Sequence, residues 1–338
     1  MDNVYNLENF VDEAFSSLDA DVAIDTDNAI EDFKEYVEKY SNAELVSILT
    51  VSGYIPDLYV ADSSEETLYT KLCEVLEVTW AERMGYQAYA VTQKASYEDV
   101  VIEINGNAIV SDTKTFRLSR SQGAPNVKDF VKPEDYSKWI GRHKGKNLGG
   151  LVVYPQLHEW KQRSDAYIYC SNKDNPILML PFHYLAFFLK AKGDKNLNFD
   201  VNELANLWDF ERIFPQRIGT RTEYWNAIDS EIIKIVGCSK KYLTDFLREA
   251  DDLLREYVNE EKAFLIQAIS ERSEVVKKEV ESLSDEEIRA AYTSYKIDQE
   301  TQLLHTYIDR INEFRLKGQK TIYSDYIAAA TDQNSATK

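Results

Sequence analysis

Three ionisable side chains in one short stretch of this chain have the types and the spacing that phosphate chemistry needs. Asp112 and Lys114 are two residues apart, so in a β-strand both side chains point to the same face. Asp99 lies upstream, near the start of the preceding predicted strand. Two carboxylates and an ammonium group at one end of a hairpin can hold a divalent metal ion and a nucleophilic water beside a phosphate.

The hairpin itself is predicted over residues 97–117. Two alternating apolar runs flank Asn105-Gly106, and this is the strongest short-range sequence signal for a β-hairpin. On spacing alone, a structural hairpin with surface charges explains the same residues. Asp-x-Lys arises often by chance, and an upstream acid is common in a chain with 58 acidic residues.

Hydrolysis of a phosphodiester bond requires positive charge at the phosphate oxygens, a positioned water and a stabilised leaving oxygen. Mg²⁺ prefers hard oxygen ligands and keeps several waters, so two carboxylates suffice to bind it. Asp99 and Asp112 can supply them, and the main-chain carbonyl of Thr113 can add a further oxygen. Lys114 would orient the water and stabilise the developing negative charge.

The net charge of −19 argues against a nucleic-acid partner until its distribution is considered. Residues 1–100 hold 22 acidic and 5 basic residues, whereas residues 112–163 hold 11 basic and 5 acidic residues. This basic stretch begins at the Asp/Lys cluster, and the local field steers a polyanion more than the total charge does. The alternative is a basic but merely solvated surface.

The bulk composition is that of a globular protein of 338 residues. The N-terminus lacks the apolar segment of a signal peptide, and the longest apolar run, residues 177–189, is too short to span a bilayer. Three widely spaced cysteines predict reduced thiols and a cytoplasmic protein, and the four histidines show no metal-ligand spacing.

The pattern along the chain predicts a mixed α+β (α/β) protein whose central mixed sheet has helices on both sides. We predict that residues 1–60 form a helical acidic region, 61–200 the catalytic core, 201–330 a helical C-terminal region and 331–338 a tail, all within one compact unit. Within these regions we predict a helix over 65–84, a long loop with one short helix over 119–147, strands over 151–154 and 166–169, a helix over 181–190 and a helix starting at Ser284.

The nine residues from Asp112 to Arg120 resemble the active-site segment of the HindIII family of type II restriction endonucleases, within the PD-(D/E)xK nuclease superfamily. The likeness extends upstream through residues 98–101, the helix over 68–86 and Gly53-Tyr54-Ile55-Pro56. Downstream it includes Ala124, Asn126 and 128–130, so it covers residues 42–132 well. It implies a restriction-endonuclease-like PD-(D/E)xK core.

By this resemblance Asp99 and Asp112 would be catalytic metal ligands for Mg²⁺, joined by Thr113, and Lys114 would be the catalytic lysine. Glu98 stands where the superfamily often has proline, which is tolerated because the following carboxylate does the chemistry. The Thr92-Gln93 region lacks a glutamate that some members carry. Glu74 and Glu77 are candidate auxiliary acids, and the simpler alternative is that both only solvate their helix.

The resemblance also places residues 119–132, which we call the recognition segment, in the major groove of DNA. Asn126 would contact adenine, Ala124 a thymine methyl group, and Asp129 either a cytosine amino group or a neighbouring basic side chain. These three positions suggest a six-base palindrome related to AAGCTT. The other predicted DNA contacts, mostly to phosphate or guanine, are Arg117, Ser119, Arg120, Lys128 and Lys132. Lys138, Arg142, Lys144 and Lys146 would add phosphate contacts, unless they lie in a flexible solvated loop.

Cleavage of both strands of a palindrome implies a homodimer with two-fold symmetry. The expected partners are double-stranded DNA, a second copy of the chain and a DNA methyltransferase that acts on the same site. Three alternatives stay open at this point. They are a repair or structure-specific nuclease of the same superfamily, a catalytically inactive DNA-binding module, and a non-enzymatic acidic DNA mimic.

Overall fold

The computed structural model describes residues 6–16, 24–91, 96–119, 125–143, 145–156 and 160–315. The chain divides into two compact units, Met1–Glu261 and Lys262–Lys338. Within the described residues, none of the helices is both long and apolar enough to cross a membrane. The region boundaries expected at residues 60 and 200 remain predictions, and the expected tail at 331–338 lies outside the described residues.

Four helices precede the sheet, and their ends follow local capping chemistry. They are α1 Asn6–Ser16, α2 Thr26–Glu38, α3 Asn42–Val51 and α4 Ser64–Met84, with the short strand β1 Tyr54–Ile55 between α3 and α4. Ser63 caps α4 by accepting a hydrogen bond from the main-chain N–H of Glu66. Gly85 ends it in the left-handed conformation at φ 98°, which costs glycine little. The predicted helix over 65–84 is therefore confirmed.

A five-stranded mixed sheet forms the centre of the first unit. Its spatial order is β2 Gln87–Ala90, β3 Val100–Ile104, β4 Asn107–Thr113, β6 Asn147–Tyr154 and β7 Ile177–Pro181. The first two pairings are antiparallel and the last two are parallel. Asn105 and Gly106 join β3 to β4 with positive φ angles of 53° and 73°, as the predicted hairpin requires. Strand β5 Phe116–Arg117 instead pairs with β1.

Helices flank the sheet and make up most of the other elements in the described residues, which confirms the predicted fold class. They are α5 Val127–Phe130, α6 Pro133–Arg142, α7 Asp165–Tyr169, α8 Phe182–Gly193, a 3₁₀ segment Val201–Trp208, α9 Phe210–Ile213, α10 Arg221–Val236, α11 Lys240–Glu281 and α12 Asp285–Arg315. The capping box predicted at Ser284 is present, because Ser284 and Glu287 exchange side-chain and main-chain hydrogen bonds.

The strand predicted over residues 166–169 is wrong, since this segment is helix α7. Ser164 caps the helix by accepting a hydrogen bond from Ala166 N, and a four-residue apolar run cannot by itself distinguish a strand from a buried helix. The strand beside β6 is β7, which occupies the first part of the long apolar run over 177–189. The predicted loop over 119–147 contains two helices, α5 and α6.

Two adjacent glycines in β6 allow close packing on both sides of the strand. A Cβ atom on Gly149 would lie 2.4 Å from the carbonyl oxygen of Pro176, and one on Gly150 would lie 2.3 Å from the ring of Tyr136. The Tyr136 hydroxyl also donates a hydrogen bond to the carbonyl of Leu151 at 3.1 Å. Helix α6 is thereby fixed directly against the sheet.

Candidate active site

The hairpin brings the first predicted carboxylate to the end of the second strand. Asp99 directly precedes β3, and its main-chain N–H donates to the carbonyl of Ser111 at 2.9 Å. Its Oδ2 accepts a hydrogen bond from the main-chain N–H of Thr113 at 3.0 Å. The side chain of Asp99 therefore lies beside the last residues of β4, although fourteen positions separate it from Thr113.

The pair predicted from the two-residue spacing is also in contact. The Nζ atom of Lys114 lies 2.6 Å from Oδ2 of Asp112. The side chain of Lys114 is 25% exposed and that of Asp112 is 13% exposed, so the ion pair is only partly accessible to solvent. The main-chain N–H of Lys114 donates to Val153 of β6 at 2.8 Å, which fixes the end of β4.

Like charges crowd this cluster. Burial raises the pKa of Asp99 to about 8, and the neighbouring carboxylates of Asp112 and Glu74 add to the increase, while the hydrogen bond from Thr113 opposes it. A nearby cation stabilises the charged form of a carboxylate in such a position, because the cation offsets both the desolvation and the repulsion.

The two candidate auxiliary acids lie on the face of α4 that packs against β3 and β4. Glu74 and Glu77 are both buried, so neither solvates the helix surface as the simpler alternative required. Glu74 is paired with Lys71, whose Nζ is 2.7 Å from its Oε1. Glu77 accepts a hydrogen bond from the hydroxyl of Thr113 at 2.5 Å, and burial raises its pKa to about 7. Their role as auxiliary acids remains a prediction.

The donor set fits a hard divalent cation that is only partly held by protein. Asp99 and Asp112 supply adjacent carboxylates in a crowded acidic environment. In the part of the chain that is described, no three His, Cys, Asp or Glu side chains gather around one metal position. A cation here would depend on water and substrate oxygens as well, and Mg²⁺ is usually bound in this way.

Two of the predicted DNA contacts are engaged within the protein. The guanidinium group of Arg117 donates to the carbonyls of Pro56 and Tyr59 and forms an ion pair with Glu66. The hydroxyl and main-chain N–H of Ser119 both donate to the carboxylate of Asp57. These contacts fix the start of the predicted recognition segment beside the loop that follows β1.

The remaining predicted contacts lie in or around α5. Asn126 caps this helix and, like Lys128 and Lys132, is exposed. Arg120 and Ala124 lie outside the described residues, and the side chain of Asp129 does too. All these DNA contacts therefore remain predictions.

Two of the four residues in the second basic group lie on a helix. Lys138 and Arg142 belong to α6, where Lys138 is paired with Asp135 at 2.9 Å. Arg142 forms an ion pair with Glu98 at 2.8 Å. Lys146 is exposed, and Lys144 lies outside the described residues. The contact between Arg142 and Glu98 was missed from the sequence, because 44 positions separate the two residues and no motif links them.

The mixed sheet flanked by helices, with two carboxylates and a lysine at the end of β4, defines a restriction-endonuclease-like fold. A family model described as HindIII restriction endonuclease matches residues 8–307. The chain therefore belongs to the HindIII restriction endonuclease family, and this membership makes it a nuclease with DNA as its substrate. A comparison with curated proteins gives no match.

Proposed function

We propose that this protein is a type II restriction endonuclease that uses Mg²⁺ to hydrolyse phosphodiester bonds at fixed palindromic sites in double-stranded DNA. The observation that carries the proposal is the contact between Lys114 and Asp112 beside the half-buried carboxylate of Asp99. Family membership supports the nuclease activity and the restriction role.

Asp99, Asp112 and the main-chain oxygen of Thr113 would hold the metal ion. When bound, Mg²⁺ supplies positive charge to the phosphate oxygens and makes a nearby water more acidic. The ammonium group of Lys114, anchored by Asp112 at 2.6 Å, donates hydrogen bonds to the attacking water and to a phosphate oxygen. The water forms a new P–O bond and gives up one proton to solvent, while one ester P–O bond breaks and the leaving oxygen takes up a proton from solvent.

Digestion of a sequenced plasmid tests this proposal. We expect discrete fragments with Mg²⁺ and uncut plasmid with EDTA, and sequencing of the fragment ends should give one palindrome. A smear would contradict fixed sites and favour a non-specific or structure-directed nuclease. Uncut plasmid at every salt and metal concentration would contradict catalysis and favour a DNA-binding module. Protection of the plasmid by methylation within the palindrome would support a partner methyltransferase.

We also propose that the protein acts as a homodimer, because cleavage of both strands of a palindrome calls for two sites related by a two-fold axis. Among the described residues, fourteen of the nineteen exposed large apolar side chains lie between Phe264 and Ile308. At roughly 80 Å² of exposed apolar area each, they exceed the roughly 800 Å² per partner that a standard interface buries. We therefore place self-association on helix α12 and on the part of α11 after Lys262.

Two charges introduced on one face of α12 should break the dimer. We expect the variant with Ile297→Glu and Leu304→Glu to weaken self-association by about 100-fold, because a buried apolar contact becomes a buried charge. Sedimentation velocity should then show the 39.0 kDa chain in place of twice that mass. The variant with Gln299→Glu and Gln302→Glu adds the same charge at exposed polar positions and should stay dimeric. If the variant with Ile297→Glu and Leu304→Glu stays dimeric, the dimer interface does not lie on this face of α12.

A further inference from the structure

A buried ion pair holds the residue directly before Asp99. Glu98 is only 5% exposed, and helix α6 provides two partners for its carboxylate. Nη1 of Arg142 lies 2.8 Å from Oε2, and Nε2 of His143 lies 3.2 Å from Oε1. Both partners stand at the C-terminal end of α6, more than forty positions further along the chain.

The same end of α6 holds the two residues before Glu98. The carbonyl oxygen of Ser96 accepts hydrogen bonds from Nη2 of Arg142 at 2.7 Å and from Nε1 of Trp139 at 3.0 Å. The guanidinium group of Arg142 also lies 3.7 Å from the centre of the Tyr97 ring. Three consecutive residues that lead into Asp99 are therefore bound to one helix.

Helix α6 is itself a rigid support. Tyr136 packs on Gly150 and donates a hydrogen bond to Leu151, so the middle of the helix is fixed to β6. Its N-terminal residue Pro133 follows Lys132, the last residue of the predicted recognition segment. One helix thus joins the end of the predicted recognition segment to the peptide that carries Asp99.

Asp99 needs such support because neighbouring acidic side chains repel its carboxylate. Its side chain stands beside Asp112 and Glu74, and like charges at short range repel each other. The ion pair of Glu98 with Arg142 and its hydrogen bond with His143 restrict the main chain directly before Asp99.

We propose that Glu98 is a positioning residue, which holds the main chain of Asp99 in place for metal binding through its contacts with Arg142 and His143. The proposal rests on the proposed nuclease function. In this role the guanidinium group of Arg142 binds Glu98 and does not contact a DNA phosphate. The alternative is an ion pair that only stabilises the fold.

The test compares Glu98→Gln with Glu231→Gln. Glu231 is a matched control because it is equally buried and has two cationic partners, Arg212 and Lys234, on elements that contribute no residue to the site. For Glu98→Gln we expect kcat to fall by about 10- to 100-fold, with KM for DNA within about threefold of the wild-type value. Terbium luminescence, with the metal alone as probe, should show binding weakened by about 10- to 100-fold.

For Glu231→Gln we expect a similar loss in Tm but no change in kcat or terbium affinity. Equal effects of the two substitutions on kcat and terbium binding would overturn the proposal in favour of a purely stabilising ion pair. If wild-type protein does not cleave DNA, the proposed function fails, but the terbium comparison still tests the positioning role.

A second variant tests the same contact if the Glu98→Gln protein does not fold. The side chain of Arg142 is 34% exposed, so Arg142→Gln is tolerated more easily. We expect it to lower kcat and terbium affinity in the same way, and adding Glu98→Gln should cost little more, because both act through one contact. An Arg142→Gln variant with a raised KM, a weaker salt dependence and unchanged kcat would instead identify a phosphate contact and overturn the proposal.

Discussion

Cleavage by a Lys114→Met variant should fall by about 10³-fold in kcat, because the variant loses the cation that stabilises negative charge at the reacting phosphate. Methionine keeps the length and the apolar part of the side chain, so β4 and its contact with Val153 should persist. The Kd for specific DNA should stay within about threefold, since one of many phosphate-facing charges is removed. Single-turnover cleavage and a binding titration with Ca²⁺ in place of Mg²⁺ measure the two quantities separately.

Lys173→Met is the matched control for this substitution. Lys173 also pairs with a carboxylate, Glu211 at 2.9 Å, but it lies on the surface after α7 and has no place in the site. We expect its kcat to equal the wild-type value. A Lys114→Met variant that cleaves within about threefold of wild type would remove Lys114 from the catalytic group.

The site hairpin could be predicted because its information is local. Asn105-Gly106 determines the two-residue turn, and the turn fixes the register of the flanking strands. Once β4 is placed, the two-residue spacing brings Asp112 and Lys114 to one face, and their ion pair follows. The resemblance then gave these residues roles that spacing alone left undecided.

The last strand of the sheet, β7, could not be assigned in the same way. The segments 166–169 and 177–181 are both short and apolar, and neither shows an alternating pattern. Tertiary contacts decide between them. Gly149 and Gly150 leave space beside β6, which allows β7 and Tyr136 to approach closely. The sequence shows two glycines but not what will pack against them.

Contacts between residues that are far apart in the chain could not be predicted from the sequence either. The sequence of α4 does not reveal that Glu74 and Glu77 are buried, because glutamate is usually exposed unless it is paired. Their partners are Lys71 and Thr113, and the second becomes visible only when α4 packs on β4. The partners of Glu98 are also set by the placement of α6 and not by any local motif.

Substitution of Asp112, the partner of Lys114 in the ion pair, should have the second large effect on cleavage. We expect Asp112→Asn to lower kcat by about 10³-fold or more, because it removes a predicted metal ligand and the anchor of Lys114 together. Terbium binding should weaken by at least about tenfold. The pKa of Asp99 should fall towards its ordinary value, since the charge of Asp112 contributes to its increase.

The same substitution should strengthen DNA binding in the absence of divalent metal by about tenfold, because one carboxylate fewer faces the phosphate backbone. Fluorescence anisotropy in EDTA measures this gain, and single-turnover cleavage in Mg²⁺ measures the loss. Asp135→Asn is the control, because it removes a carboxylate paired with Lys138 on the surface of α6. If Asp112→Asn lost cleavage but gained no metal-free affinity, its carboxylate would not face the DNA. Lys114 would then act on the substrate without the direct participation of Asp112.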